Sequence, residues 1–217
     1  MIIKASGIEK SFGPLKVLKG IDFAASSSEM VAIMGASGAG KTTLLQILGT
    51  LSTPDGGSLE IDGVKPFELG KKALSAFRCN KIGFVFQFHH LLPEFSALEN
   101  VMIPALIGGK TKAAAKAEAL RLLDKVGLQD RISHKPSELS GGQQQRVAIA
   151  RALVNSPSVL FADEPSGNLD SAAKSRLHEL LLGLREEFGQ TIVVVTHDPS
   201  LSGVCDRTLN MVDGEFV

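Results

Sequence analysis

The sequence predicts an α/β protein: a core with a mostly parallel sheet, an N-terminal antiparallel β layer and an inserted helical subdomain. Short apolar runs that are typical of buried strands occur at residues 30–34, 81–87, 158–162 and 191–195. Two further strand-like pieces, at residues 2–5 and 17–24, predict the antiparallel layer. Between residues 88 and 155 the pattern becomes helical, which indicates a helical subdomain inserted into the core.

The length of 217 residues is sufficient for one domain with a substantial core. We therefore expect a single domain over residues 1–217, with its core at about 1–87 and 156–217 and its helical subdomain at about 88–155. Lys+Arg and Asp+Glu both number 23, so no global field would attract nucleic acid or an acidic membrane.

The cysteines and the apolar runs limit the cellular setting. Cys79 and Cys205 lie far apart and have no metal-ligand or redox spacing, which predicts ordinary thiols in a reducing cytosol. The N-terminus lacks the apolar core and cleavage site of a secretory signal. No apolar run approaches the roughly 18 to 20 residues required to span a bilayer. We expect that other chains hold this protein wherever it works at a membrane.

A glycine-rich loop at residues 35–43 follows the apolar run 30–34 and fits the pattern G-x-x-x-x-G-K-[ST]. Its glycines let successive N–H groups face a phosphate, at the positive end of the helix predicted for 42–51. Lys41 is expected to reach the β- and γ-phosphates, and Thr42 to ligate Mg²⁺. The other loop residues expected at the nucleotide are Gly35, Ala36, Ser37, Gly38, Ala39, Gly40 and Thr43. The fold class is therefore refined to a P-loop NTPase core.

An aromatic residue, Phe12, lies in the predicted polar turn 10–14. It has little core to join there, so it is available to stack on a nucleotide base; the alternative is a locally packed turn residue. After the loop helix, residues 52–57 form a cluster of helix breakers, and residues 58–61 alternate as a strand.

Polar residues follow three of the predicted core strands. Gln87 ends one strand, Asp163 and Glu164 end the next, and His197 follows the run 191–195. Because ligands bind at the carboxyl ends of parallel strands, we expect these side chains at one edge of the sheet. Asp163 is suited to hold Mg²⁺ through water, Glu164 to polarise an attacking water, and Gln87 to touch either. The alternative for the acidic pair is a cap on the following turn.

Helical periodicity predicts helices at 96–106, 112–126 and 142–154. Ser140, Gly141 and Gly142 stand at the start of the third helix and form a second N-terminus suited to an anion. His89 and His90 lack a third ligand, so we expect solvated loop residues and no metal site.

The last part of the chain completes the predicted sheet. A tight connection at 166–170 leads to a helix with an apolar stripe that should pack on the sheet, formed by Leu177, Leu180, Leu181, Leu184 and Phe188. Residues 208–212 are predicted as the final strand.

Five motifs, in this order, resemble those of the nucleotide-binding subunits of ABC transporters, and the resemblance covers essentially the whole chain. They are the loop 35–42, Gln87, the signature Leu139-Ser140-Gly141-Gly142-Gln143, the pair Asp163-Glu164, and His197. In that family two subunits enclose two ATP molecules head to tail, so the resemblance implies a homodimer that depends on ATP. It further implies that Phe12 stacks on adenine, Lys41 binds the phosphates and His197 contacts the γ-phosphate. Glu164 is implied as the base, and Mg²⁺ is implied to be surrounded by Thr42, Gln87 and Asp163. The signature residues are implied to act in trans, and Asp170 to communicate across the dimer.

Two positions depart from the common family pattern. The adenine-stacking aromatic is often Tyr and here is Phe12, and residues 166–170 read SGNLD where many members have Ala before Leu. Stacking uses the ring and not the hydroxyl, so neither departure removes an atom that the activity requires.

Within the family, the segment 87–101 resembles the lipoprotein-releasing subfamily, and 163–170 supports the wider group that includes MacB-type macrolide exporters and the cell-division ATPase FtsE. The resemblance implies that His89 to Phe95 faces integral membrane permease subunits of the LolC/LolE kind. It places the chain peripherally, at the cytoplasmic face of a bacterial inner membrane, with no nucleic-acid partner. We expect an ATPase motor that drives lipoprotein release.

Three other kinds of function compete with this one. A motor for efflux or cell division uses the same motifs and stays open as the alternative. ABC proteins of DNA repair separate the two ATPase halves by a long coiled coil, and those of translation carry paired cassettes; neither feature fits 217 contiguous residues. A plain P-loop kinase would leave Ser140, Gly141 and Gly142 without a purpose.

Overall fold

The computed structural model describes residues 1–167 and 169–217. Asn168, which belongs to the predicted connection 166–170, lies outside the described residues. The strands are β1 (Ile3–Phe12), β2 (Leu15–Ala25), β3 (Met30–Met34), β4 (Gly56–Ile61), β5 (Ile82–Val85), β6 (Val159–Asp163), β7 (Thr191–Val195), β8 (Arg207–Val212) and β9 (Glu215–Phe216). The helices are α1 (Lys41–Leu48), α2 (Lys71–Lys81), α3 (Ala97–Ile107), α4 (Lys112–Lys125), α5 (Gly141–Leu153), α6 (Ser171–Phe188) and α7 (Pro199–Ser202).

The strands form two sheets, which confirms the predicted fold class. The order β2-β1-β4 makes an antiparallel layer, and the order β5-β6-β7-β3-β8-β9 makes the central sheet. Neighbouring strands from β5 to β8 pair in parallel, and β9 joins β8 in the antiparallel sense. Since β3 lies between β7 and β8, the loop that follows β3 emerges in the middle of the sheet edge.

Alternate residues of the core strands enter two separate hydrophobic clusters. Val31 and Ile33 of β3 pack with α1 and the antiparallel layer, whereas Met30 and Ala32 pack with helices α3 to α6. This alternation follows from the period of two along a strand. The central sheet is therefore covered by apolar side chains on both faces, as a parallel sheet requires.

Some element boundaries differ from the prediction. The first two strands are longer than the predicted pieces, and the turn between them is only Gly13-Pro14, so Phe12 ends β1. Helix α1 ends at Leu48 and not at 51, because Thr50 adopts a left-handed φ of 59° and its N–H bonds back to Ile47. Leu180 is only half buried and Phe188 is exposed, so the predicted stripe on α6 is wrong at its far end.

Helix α2 was not predicted. Its eleven residues, KKALSAFRCNK, bury only Phe77, so the segment offers too little apolar periodicity to be recognised. In the described part of the chain, no helix combines the length and the apolar character that crossing a bilayer requires.

Candidate functional site

The glycine-rich loop packs closely against strands β8 and β2. Gly35 has a φ of 154°, and a Cβ atom built on it would lie 2.2 Å from the carbonyl oxygen of Met211. Gly40 has a φ of 103° and its Cβ would lie 3.1 Å from the carbonyl oxygen of Val17. Both the backbone conformation and the close approach therefore require glycine at these positions.

The side chain of Lys41 lies inside the curl of this loop. Its Nζ donates hydrogen bonds to the carbonyl oxygens of Gly35 and Ala36, each at 2.9 Å, and the residue is only 8% exposed. Helix α1 fixes it there by burying its own apolar face, formed by Leu44, Leu45, Ile47 and Leu48. A cation is thus held where the loop N–H groups and the helix N-terminus already favour an anion.

Thr42 and Asp163 meet at the edge of the sheet. The hydroxyl Oγ1 of Thr42 donates to Oδ1 of Asp163 at 3.1 Å, and Asp163 is the last residue of β6. Burial raises the pKa of Asp163; the bond from Thr42 opposes this rise, and the nearby Glu164 adds to it. A hydroxyl and a carboxylate are hard oxygen donors, so the pair fits Mg²⁺.

Glu164 and His197 form a second pair beside the first. Oε2 of Glu164 lies 2.9 Å from Nδ1 of His197 and accepts the backbone N–H of the same residue at 3.3 Å. Glu164 has a left-handed φ of 46°, and its own N–H donates to the carbonyl oxygen of Val195 at 2.9 Å. The side chain of Glu164 is therefore held at the strand ends, where a carboxylate can accept a proton from water.

Apart from Asp163, which is hydrogen-bonded to Thr42, these groups share one cavity of about 630 Å³. Its wall contains the predicted residues Phe12, Gln87, Glu164, His197, Gly35, Ser37, Gly38, Gly40, Lys41, Thr42 and Thr43. Phe12 is 56% exposed at its rim, where a flat base can stack. Leu15 and Val17 of β2 line the same wall and were not predicted. The hairpin pairing of Leu15 with Phe12 is the feature that places them there.

The signature residues lie elsewhere. Ser140, Gly141, Gly142 and Asp170 line a separate cavity of about 150 Å³ together with Gln145, Arg146, Leu169, Ala173, Arg176 and Leu177. Ser140 caps α5: its Oγ accepts from the N–H of Gln143 at 3.3 Å, and the Gln143 side chain accepts from the Ser140 N–H at 2.8 Å. The structure thus separates these residues from the glycine-rich loop of the same chain.

The segment after Gln87 is held by a half-buried arginine. Arg151 of α5 donates from Nη2 to the carbonyl oxygen of His89 at 2.7 Å and from Nη1 to that of His90 at 2.6 Å. Both histidines are left-handed, with φ values of 60° and 47°. His89 is buried, which corrects the expectation of two solvated histidines, and burial lowers the pKa of its imidazole.

The far end of this segment is fixed by the buried Asn100 of α3. Its side chain accepts from the Leu92 N–H at 2.8 Å and donates to the carbonyl oxygens of Leu92 and Phe95 at 3.1 and 3.0 Å. Phe88, Leu92 and Phe95 are nevertheless 68, 41 and 41% exposed. The segment is thus a fixed loop, residues 88–95, that presents apolar side chains to solvent.

Comparisons with known proteins agree with this geometry. The profile of the family described as "ABC transporter" matches residues 18–167. The lipoprotein-releasing system ATP-binding protein LolD of Bacteroides fragilis is 59% identical over 216 residues, covering 100% of both chains. LolD of Porphyromonas gingivalis is 59% identical, covering 99% of this chain and 98% of that protein.

Two solved structures also resemble the chain. The dimeric structure of MJ0796, a bacterial ABC transporter cassette, is 41% identical with a TM-score of 0.91, covering 99% of this chain and 96% of that one. MJ0796 in a dimeric post-hydrolysis state, bound to ADP and Pi, is 40% identical with a TM-score of 0.90 and the same coverage.

Proposed function

This chain belongs to the ABC transporter family, and from that premise we propose that it is the ATP-hydrolysing motor of a bacterial lipoprotein-releasing transporter. The ATPase part is supported by the cavity that contains Lys41, Thr42 and the Glu164–His197 pair, and by the hydrogen bond from Thr42 to Asp163. The cargo is supported by one observation: identity of 59% to LolD of Bacteroides fragilis extends over 100% of both chains.

In the proposed mechanism, different residues around the cavity bind the adenine, bind the phosphates and activate the water. Phe12 stacks on the adenine, and Lys41 with the loop N–H groups binds the β- and γ-phosphates. Glu164 accepts a proton from the attacking water, and His197 contacts the γ-phosphate. Thr42, Asp163 and Gln87 would hold Mg²⁺, which when bound neutralises phosphate charge.

We infer that two copies of the chain complete the nucleotide site. Ser140, Gly141 and Gly142 lie in a cavity apart from the glycine-rich loop, so the loop of a second copy is their natural partner. MJ0796, which resembles this chain over almost its whole length, forms a dimer. Because ADP lacks the γ-phosphate, dimerisation of the proposed kind depends on ATP and is reversed by hydrolysis.

The membrane partner is proposed to dock on loop 88–95, including the predicted segment His89 to Phe95. The loop offers three exposed apolar side chains, and it adjoins a cavity of about 290 Å³ lined by His90, Phe84, Phe86 and Pro104, among others. This partner is a pair of permease subunits of the LolC/LolE kind, which would hold the chain at the cytoplasmic face of the inner membrane.

The dimer is tested by size-exclusion chromatography with light scattering on Glu164→Gln, with and without ATP. We expect a monomer without nucleotide and a dimer with ATP, and a monomer throughout when Ser140→Arg is added. If the double variant dimerises with ATP as well as Glu164→Gln does, the role in trans assigned to Ser140 is wrong.

The cargo is tested by co-expressing the chain with the permease genes adjacent to its own and reconstituting the complex in liposomes that contain an acylated lipoprotein. We expect ATP-dependent release of the lipoprotein to a soluble carrier, and none with Glu164→Gln. A complex that hydrolyses ATP and releases a small hydrophobic drug but no lipoprotein would instead identify an efflux motor.

A further inference from the structure

Asp198 follows His197 directly, yet it does not line the cavity of about 630 Å³ that contains Lys41, Glu164 and His197. The side chain is only 11% exposed. One oxygen, Oδ1, accepts from the N–H and the hydroxyl of Ser200, at 3.0 and 2.6 Å, and so caps the short helix α7. This capping role uses only half of the carboxylate.

The other oxygen joins two more segments. Oδ2 accepts from Oγ of Ser166 at 3.4 Å and lies 3.5 Å from Nζ of Lys174. Ser166 is 1% exposed and follows Glu164 by two residues, whereas Lys174 belongs to α6. The carboxylate of Asp198 therefore bridges the segment after β7, the segment after β6 and helix α6.

This bridge lies beside the pair of Glu164 and His197. Within the sheet, two contacts connect the ends of β6 and β7. Asp163 pairs with Val195, and the N–H of Glu164 donates to the carbonyl oxygen of Val195. On the other side, the link between Asp198 and Ser166 joins the same two segments again. The pair is thus enclosed between two connections.

The pair benefits from such support because the His197 ring has little packing around it. The His197 side chain is 68% exposed, so packing contributes little to its orientation. The left-handed backbone of Glu164, with its φ of 46°, is unfavourable for a residue other than glycine and persists only where the surroundings hold it. A shift of either strand exit would separate a carboxylate and a ring that now lie 2.9 Å apart.

We propose that Asp198 is a positioning residue for ATP hydrolysis, which holds the His197 segment against the Glu164 segment through Ser166. It does not touch the reacting atoms, and it transfers no proton. The inference rests on the roles proposed for Glu164 and His197, and it assigns to Asp198 a function that those roles do not include.

The test uses the purified chain and compares three variants. Asp198→Ala removes the whole bridge, Ser166→Ala removes only the link to the Glu164 segment, and Ser200→Ala removes a hydrogen bond to the same carboxylate on the capping side. We expect kcat to fall about 10- to 100-fold in Asp198→Ala and less in Ser166→Ala, with KM for ATP changed by no more than about two-fold. Ser200→Ala should retain kcat within about two-fold.

A double-mutant cycle separates positioning from general loss of structure. If Asp198 acts through His197, then Asp198→Ala in a His197→Ala background causes little further loss of kcat. Thermal melts confirm folding, and Asp198→Asn, which keeps the shape, serves if Asp198→Ala fails to fold. The ring ¹⁵N signals of His197 should shift in Asp198→Ala and stay unchanged in Ser200→Ala.

Three results would overturn the inference: wild-type kcat in folded Asp198→Ala, a loss that is fully additive with His197→Ala, or a change confined to KM. Each is distinct from failure of the proposed function. That failure would appear as normal hydrolysis in Glu164→Gln or His197→Ala themselves.

Discussion

Oε2 of Glu164 contacts His197 at two points, the ring Nδ1 at 2.9 Å and the backbone N at 3.3 Å. A carboxylate only accepts hydrogen bonds, so the paired Nδ1 of the ring must carry the proton. The two residues therefore orient each other.

Replacement of Glu164 by Gln should nearly abolish hydrolysis while preserving ATP binding. The substitution keeps the shape of the side chain but removes the charge that accepts a proton, a loss of roughly 10² to 10⁴ in rate. Steady-state phosphate release and nucleotide affinity measure the two effects. Glu179→Gln, an exposed change on α6, is the control. Turnover of Glu164→Gln within a few-fold of wild type would contradict the role.

Gly35→Ala should damage the glycine-rich loop more than Gly38→Ala does. Both glycines have positive φ, but only the Cβ at position 35 meets a backbone atom, 2.2 Å away at Met211, whereas position 38 is open. We expect Gly35→Ala to be less stable by about 1–3 kcal/mol, from overpacking. Urea denaturation of both variants gives the difference. Equal stabilities would mean that the backbone conformation alone sets the cost.

Phe88→Ser together with Phe95→Ser should weaken association with the proposed membrane subunits by about tenfold or more, since a few aromatic anchors often carry much of the binding energy of an interface. ATP affinity should not change. Leu91 is a poorer choice, because it packs against the core. The matched control is Phe188→Ser, an exposed Phe at the end of α6. Unchanged association in a pull-down with the permease subunits would refute the docking surface.

The stability that Asp198 contributes should disappear in acid. Burial alone would raise the pKa of this carboxyl, but the hydrogen bonds from Ser200 and the Lys174 ammonium lower it from 3.8 to about 2. The unfolded chain thus binds the proton more tightly than the folded chain does, so the contribution is full above about pH 4 and is lost as the pH falls toward 2.

Asp198→Asn should accordingly be less stable than wild type at neutral pH by roughly 1–3 kcal/mol, with a gap that closes in acid. Urea denaturation of both proteins at several pH values gives this difference. Burial lowers the pKa of His178 and the charge of Asp198 partly opposes this, so Asp198→Asn also lowers the pKa of His178. A gap that stays constant down to pH 2 would show that the charge of Asp198 is not the source.

The sequence predicted the sheet and the cavity because both depend on local patterns. A strand, a polar residue at its end and a parallel neighbour were enough to bring Glu164 beside His197. Helix α2 was not predicted because, among its residues Lys71–Lys81, the structure buries only Phe77. The burial of His89 was not predicted, because Arg151, which binds the carbonyl oxygen of His89, lies 62 residues away in the sequence. No sequence periodicity acts over that distance.

The fixed geometry of loop 88–95 has a thermodynamic consequence for any chain that binds it. Ordering a flexible backbone costs roughly 1–2 kcal/mol per residue, and a loose loop would pass this cost on to every association event. Here Arg151 and Asn100 hold the backbone before a partner arrives, so association restricts only the outward side chains. A partner can then bind through a small contact area, and it can leave and return within each cycle without refolding the loop.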